Sequence, residues 1–165
     1  MADSDQFDDI PPASHKVGWR EWVVLPDLQV HAIKAKIDTG ARTSALHAFD
    51  IERIGENVEF SVQPIQRNNS MSVRCKAPLT DIRTITDSGG HSEERYVVTT
   101  LLQIGALKKT IEVTLTERHD MLFRMLIGRT ALMPQCVVDP AGSYLCGKLS
   151  PRLLYSQLSK KGASK

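Results

Sequence analysis

The residues best equipped for chemistry are Asp38, Thr39 and Gly40, in the run Ile33-Lys34-Ala35-Lys36-Ile37-Asp38-Thr39-Gly40-Ala41-Arg42-Thr43-Ser44. An alternating strand delivers a carboxylate to a tight loop. Thr39 can hydrogen-bond the backbone around it. Gly40 lets backbone N–H groups approach the carboxylate, and Ala41 leaves space for a substrate. A carboxylate held in this way can exchange protons with a bound molecule. The same residues also suit a plain turn, because Asp at a strand end commonly turns or caps the chain. A second segment, Arg124-Met125-Leu126-Ile127-Gly128-Arg129-Thr130-Ala131-Leu132, lies about 90 positions downstream. It reads as an apolar strand ending in glycine, followed at once by a short helical turn.

The elements that must position these segments are short alternating runs broken by turn residues. Strands are predicted at 19–25, 30–37, 46–53, 57–65, 71–76, 79–86, 92–104, 109–116, 123–127, 135–139 and 143–146. Turns are marked by Pro26-Asp27, Gly55-Glu56-Asn57, Asn68-Asn69-Ser70, Asp87-Ser88-Gly89-Gly90, Gly105 and Asp139-Pro140-Ala141-Gly142. Short strands at even spacing predict an all-β barrel or sandwich. A short helix is expected at Arg129–Met133. A second is expected at Pro151–Leu158, with Pro at the first position and Leu153, Leu154 and Leu158 on one face.

A chain of 165 residues suits one domain with tails. Apolar residues make up 41% and aromatics 5%, so the core must be mainly aliphatic. The net charge of +2 is too small for a nucleic-acid binder. Residues 1–16 form an acidic tail, with Asp3, Asp5, Asp8 and Asp9 against Lys16, and are expected to be disordered. The domain is then 17–150, and 151–165 is a helix with a basic tail. No run approaches the roughly 20 apolar residues of a membrane span, and the head has no apolar core of a signal peptide. Three cysteines, Cys75, Cys136 and Cys146, cannot all pair, and a cytoplasmic chain with reduced thiols is expected.

D-T-G-A followed by an apolar-apolar-Gly-Arg segment resembles the retropepsin-like aspartic peptidases. The blocks IDTGARTSALHA, RMLIGRTAL and VVDPAGSYL resemble one branch of that superfamily, small proteins known as ATP-dependent zinc proteases. Those proteins often occur beside ligases that add glutamates to a ribosomal protein. The resemblance covers roughly 19–149. It implies a closed all-β barrel with a flap hairpin, the flap being the strands on either side of Thr86–His91.

The same resemblance implies aspartic proteolysis, in which two carboxylates share one proton. One acts as base toward water and the other hydrogen-bonds the scissile carbonyl. This chain offers one good candidate, Asp38. Asp87-Ser88-Gly89 also fits the pattern. It lies 49 positions on, lacks its own apolar-Gly segment, and reads as a hairpin turn. The second carboxylate is therefore expected from Asp38 of another copy, on the axis of a homodimer. The catalytic set is Asp38, Thr39 and Gly40. Ala41, Arg42, Gly89, Gly90, Gly128 and Arg129 are assigned to substrate binding. Arg42 stands where viral members usually carry Asp, so Arg129 needs a different partner. Either arginine can fork onto a carboxylate, which suits an acidic, glutamate-rich peptide tail such as that of a ribosomal protein, or can tie loops together.

No metal or other cofactor is expected. H-E-x-x-H and C-x-x-C are absent, as is G-x-x-x-x-G-K-[ST]. The five histidines are scattered and read as polar surface residues, with His47 and His91 beside Asp38 as the only metal alternative. Two rival functions remain: a non-catalytic peptide-binding or dimerisation module of the same fold, and a metal-dependent hydrolase. Direct binding to nucleic acid or membrane is not expected.

Overall fold

In the computed structural model, residues 15–162 are described, with side chains to residue 156. Ten strands form one sheet. They are β1 (His15–Leu25), β2 (Val30–Ile37), β3 (Ser44–His47), β4 (Phe49–Ile54), β5 (Asn57–Val62), β6 (Val73–Thr86), β7 (Ser92–Ile104), β8 (Leu107–Thr116), β9 (Met125–Ile127) and β10 (Cys136–Ser143). Their spatial order is β10-β1-β2-β9-β3-β8-β7-β6-β5-β4. β1 also pairs with β7 at Val24–Gln103, so the pairing from β1 through β9 and β8 returns on itself. The helices are α1 (Arg129–Leu132) and α2 (Pro151–Gly162). No helix among the described residues is long and apolar enough to cross a membrane.

The core is aliphatic, as the composition requires. Val23, Leu25, Ile33, Leu46, Val113, Met125 and Ile127 are wholly or almost wholly buried, with Phe60 as the large aromatic filler. The strands that surround them place alternate residues inward. In β2, Ala35 and Ile37 face the core while Lys34 and Lys36 face out.

Several expected boundaries move. His15 and Lys16 are already in β1, so the strand starts inside the segment read as a tail; residues 1–14 lie outside the described residues. The run 46–53 divides at Ala48. β3 pairs with β8 and β9, whereas β4 pairs with β5. The runs 71–76 and 79–86 fuse into β6, which pairs with β5 through Pro78 and with β7 from Leu79, with a register shift between Leu79 and Asp81. Pro78 lacks an N–H, but it falls where the strand changes neighbours. Asp139–Gly142 is not a free turn. It is recruited into β10, parallel to β1, and its extra residues bulge between the pairs Gly18–Asp139 and Arg20–Ser143. Asp139 still makes its local turn contact, accepting the Ala141 N–H at 2.9 Å. No strand forms at 143–146 beyond Ser143. A Cβ on Gly18 would lie 2.3 Å from the Gly142 carbonyl oxygen, so this strand pair needs glycine at that position.

Candidate active site

Asp38 ends β2, and its N–H donates to the Ile127 carbonyl of β9 at 2.8 Å. The carboxylate turns back on its own loop and accepts the Gly40 N–H at 3.1 Å. Asp38 is half-buried, while Thr39, Gly40 and Arg42 are exposed. Asp38 is thus held by β9 through its backbone N–H, while its carboxylate is held by the loop and remains reachable from solvent.

The Gly128 segment seats this loop. The Gly128 N–H donates to Ser44 Oγ at 3.0 Å, and a Cβ on Gly128 would come within 2.6 Å of the Thr43 carbonyl carbon. Backbone N–H groups of Arg129 and Thr130 donate to the carbonyls of Ala41 and Arg42, and Thr130 Oγ1 adds a second bond to Arg42. The Arg129 guanidinium donates to the Thr39 and Gly40 carbonyls at 3.0 and 3.1 Å. These carbonyls are the partner that the sequence left open for Arg129. Gly128 and Arg129 therefore bear on the loop from below, whereas Ala41 and Arg42 line the cleft. Lys109 of β8 secures α1 in turn, donating to the carbonyls of Thr130 and Met133.

The cleft encloses about 680 Å³ and is lined by Ala41 and Arg42 of the Asp38 loop, whereas Asp38, Thr39 and Gly40 are not among its lining residues. Its walls include Arg42, Leu126, Ile85, Arg83 and Arg95. The last three belong to β6 and β7, whose hairpin is the expected flap. At the tip, Gly89 and Gly90 are exposed, and Gly90 has a positive φ of 83°. Asp87 organises the turn. Its Oδ1 accepts the N–H groups of Gly89 and His91, each at 2.9 Å. That geometry is the hairpin-turn role read for Asp87.

Charge in the cleft is mostly paired. Arg83 bridges Asp81 and Glu112, each at 2.8 Å, and Arg95 pairs with Glu93. Glu93 also accepts from Thr116 Oγ1, and the Arg95 contact holds its carboxyl below the usual carboxylate range. Arg42 has no carboxylate partner among the described residues.

Two polar groups inside the protein were not anticipated. Glu21 is fully buried, and its carboxylate accepts the N–H groups of Gly18, Leu145 and Cys146. Its signal was its parity, since it alternates with Val23 and Leu25 on the inward side of β1. His47 is not a surface histidine, as it too is fully buried. Its Nδ1 accepts the Arg118 N–H at 3.1 Å, and it lies opposite Arg124, whose guanidinium reaches Asn69 at 3.0 Å. Burial, and then the Arg124 cation, push its pKa down. The loop that covers His47, 117–121, lies some seventy positions away and left no local signal. His91 stays exposed at the flap tip. No three His, Cys, Asp or Glu residues converge into a metal-binding group among the described residues. All three cysteines are free thiols.

Comparison with known proteins follows the same outline. The model of a family described as RimB-like, retropepsin-like aspartic endopeptidase RimB, matches residues 16–148. A probable alpha-L-glutamate ligase of Shewanella pealeana is 43% identical over 136 residues, 80% of this chain and 30% of the relative. One from Desulfotalea psychrophila is 40% identical over 153 residues, 90% of this chain and 33% of the relative. The chain thus spans 30% to 33% of the length of these relatives. A solved structure of Lpg0085 from Legionella pneumophila, a protein of unknown function, superposes with a TM-score of 0.69 at 27% identity, covering 81% of this chain and 99% of that one.

Proposed function

This chain belongs to the RimB-like family of retropepsin-like aspartic endopeptidases, and we propose that it is itself an aspartic peptidase, active as a homodimer. The observation that carries the reading is the Asp38 loop. It holds a half-buried carboxylate three residues before Ala41 and Arg42, which line the cleft, and it is fixed by Gly128 and Arg129.

One chain supplies one such loop, and peptide hydrolysis by this chemistry needs two carboxylates. Two copies related by a twofold axis bring Asp38 to Asp38. One carboxylate then takes a proton from water as the water attacks the scissile carbonyl carbon. The protonated partner hydrogen-bonds the carbonyl oxygen and then helps the amine leave. The substrate is proposed to be an acidic, glutamate-rich peptide, such as the glutamate tail of a ribosomal protein. Arg42, the cleft cation without a carboxylate partner, favours that class. The relatives named as glutamate ligases are consistent with it, although that name describes chains about three times as long.

The test incubates wild type and Asp38→Asn with a glutamate-tailed peptide, with and without a chelator, and follows cleavage by mass. Cleavage by wild type alone, unaffected by chelator, is expected. Equal cleavage by Asp38→Asn would remove Asp38 from the mechanism, and loss with chelator would point to a metal.

A further inference from the structure

The outward faces of β1 and β2 carry Lys16, which pairs with Asp139, and three further cations, Arg20, Lys34 and Lys36. None of these three has a carboxylate within ion-pair distance among the described residues. The ion pairs elsewhere show what is missing here, since Arg83 and Arg95 in the cleft both have partners. Aromatic rings support Arg20 and Lys34 instead. Arg20 lies 4.6 Å from the Trp19 ring centroid and 4.9 Å from that of Tyr144. Lys34 lies 5.2 Å from Trp22 and 5.7 Å from Tyr144. A ring face holds a long cationic side chain in place without neutralising it; Arg20 Nε donates to Ser143 Oγ at 3.2 Å, a neutral partner that leaves the charge uncompensated.

Strand register connects this patch to the cleft. Arg20 is opposite Lys36, Lys36 is beside Leu126, Leu126 is opposite Ala45, and Ala45 is beside Thr114. Residues in register across neighbouring strands project on the same face. Leu126, Ala45 and Thr114 line the cleft. One continuous row therefore runs from the cleft floor to Lys36 and Arg20. With strands about 4.8 Å apart, Arg20 lies about 10 Å beyond Leu126, a distance that three extended residues span. Asp38, two positions after Lys36, shares its parity on β2.

We propose that Arg20, Lys34 and Lys36 form an exosite that binds the acidic stretch of a peptide whose other part occupies the Asp38 cleft. This rests on the acidic-substrate reading above and adds a length requirement. A peptide that fills only the cleft gains nothing from the patch. One with several further acidic residues is held across β2 and β1 by charges that are not otherwise satisfied. Binding of the long peptide should weaken with salt, because the contacts are exposed.

The experiment measures anisotropy of two fluorescein-labelled oligoglutamates, one of about four residues and one of about twelve, on the full chain carrying Asp38→Asn, so that binding is read without cleavage. Adding Arg20→Gln, Lys34→Gln and Lys36→Gln should weaken the long peptide by at least about tenfold and the short one by less than about threefold. Lys34→Arg with Lys36→Arg should keep the affinity for the long peptide. Should the triple variant fail to fold, the exposed Lys36→Gln alone serves, with a loss of about threefold confined to the long peptide. Equal losses for both lengths, or none for either, would overturn the exosite. Cleavage of the short peptide by wild type reads the peptidase proposal separately. If that cleavage is absent while the length effect holds, the exosite stands and the catalytic reading fails.

Discussion

Arg129 and Thr39 are 90 positions apart in the chain, yet the Arg129 guanidinium donates to the Thr39 carbonyl at 3.0 Å. A companion bond from the same nitrogen, Nη1, to the Gly40 carbonyl sets two donors of one rigid group against the loop that carries Asp38. The role is positioning, because the contacts are to backbone carbonyls. Lysine carries its donors on a flexible stem without the fixed plane of a guanidinium, so it holds the two carbonyls less rigidly. Arg129→Lys should lower kcat about tenfold and Arg129→Ala about a hundredfold, with KM for a short peptide little changed, in a steady-state assay. A rise in KM with unchanged kcat would instead make Arg129 a substrate contact.

Gly128 leaves no room for a side chain. The Cβ of Gly128→Ala would meet backbone atoms of Thr43 and Arg42, which cannot swing away as a flexible side chain would. Overpacking of this kind costs about 1–3 kcal/mol. Differential scanning calorimetry should show a lowered Tm, and any peptidase activity should fall further than the Tm shift explains, because the displaced atoms belong to the loop that carries Asp38.

Glu21 ties the 145–146 segment to β1 through three backbone N–H groups. Glu21→Gln keeps the volume but puts an amide donor against donors. A buried donor left without an acceptor costs about 1–3 kcal/mol, and denaturant unfolding should report a loss of that order. Cys146 gives a second readout. Burial and, next, Glu21 push its pKa up to about 11, so Glu21→Gln should speed its alkylation near pH 8.

His47 makes stability depend on pH. Its pKa is lowered in the folded protein, chiefly by burial and then by Arg124, with His119 lowering it and Glu117 raising it. As pH falls through about 6.5, the unfolded chain takes up a proton that the folded chain resists. The native state should thus lose stability below that pH until the folded pKa is passed. Tm measured from pH 7.5 to 5 should fall more steeply for wild type than for His47→Gln. Parallel curves would show that the ring does not titrate differently in the two states.

The parts legible in the sequence were those with local backbone demands. Asp38 at a strand end and Gly40 in a tight loop sit where the residue types imply. So do Asp87 under the Gly89-Gly90 turn and Gly128 before a short helix. Glu21 was not anticipated, although its parity with Val23 and Leu25 on β1 carried the signal. What the sequence concealed depended on partners far along the chain. Ala48 divides a continuous apolar-polar run because β3 and β4 find different neighbours, and Pro78 interrupts nothing because the ladder changes sides there. His47 looks polar and superficial until the 117–121 loop covers it. Gly128 and Arg129 follow β9, and their contacts with Ser44, Thr39 and Gly40 join segments 84 to 90 positions apart.

β6 has one further consequence. Its first half is built into the β4–β5 side of the sheet, with Cys75 and Ala77 in the core, while its second half is one leg of the flap. The irregularity between Leu79 and Asp81 divides these duties within a single strand. Bending there moves the hairpin tip without drawing on the packed residues before it. Amide hydrogen exchange along β6 should therefore change abruptly at this point, slow through Ala77 and fast from Ile82 onward, so that closing over a peptide and remaining folded are governed by separate stretches of the same strand.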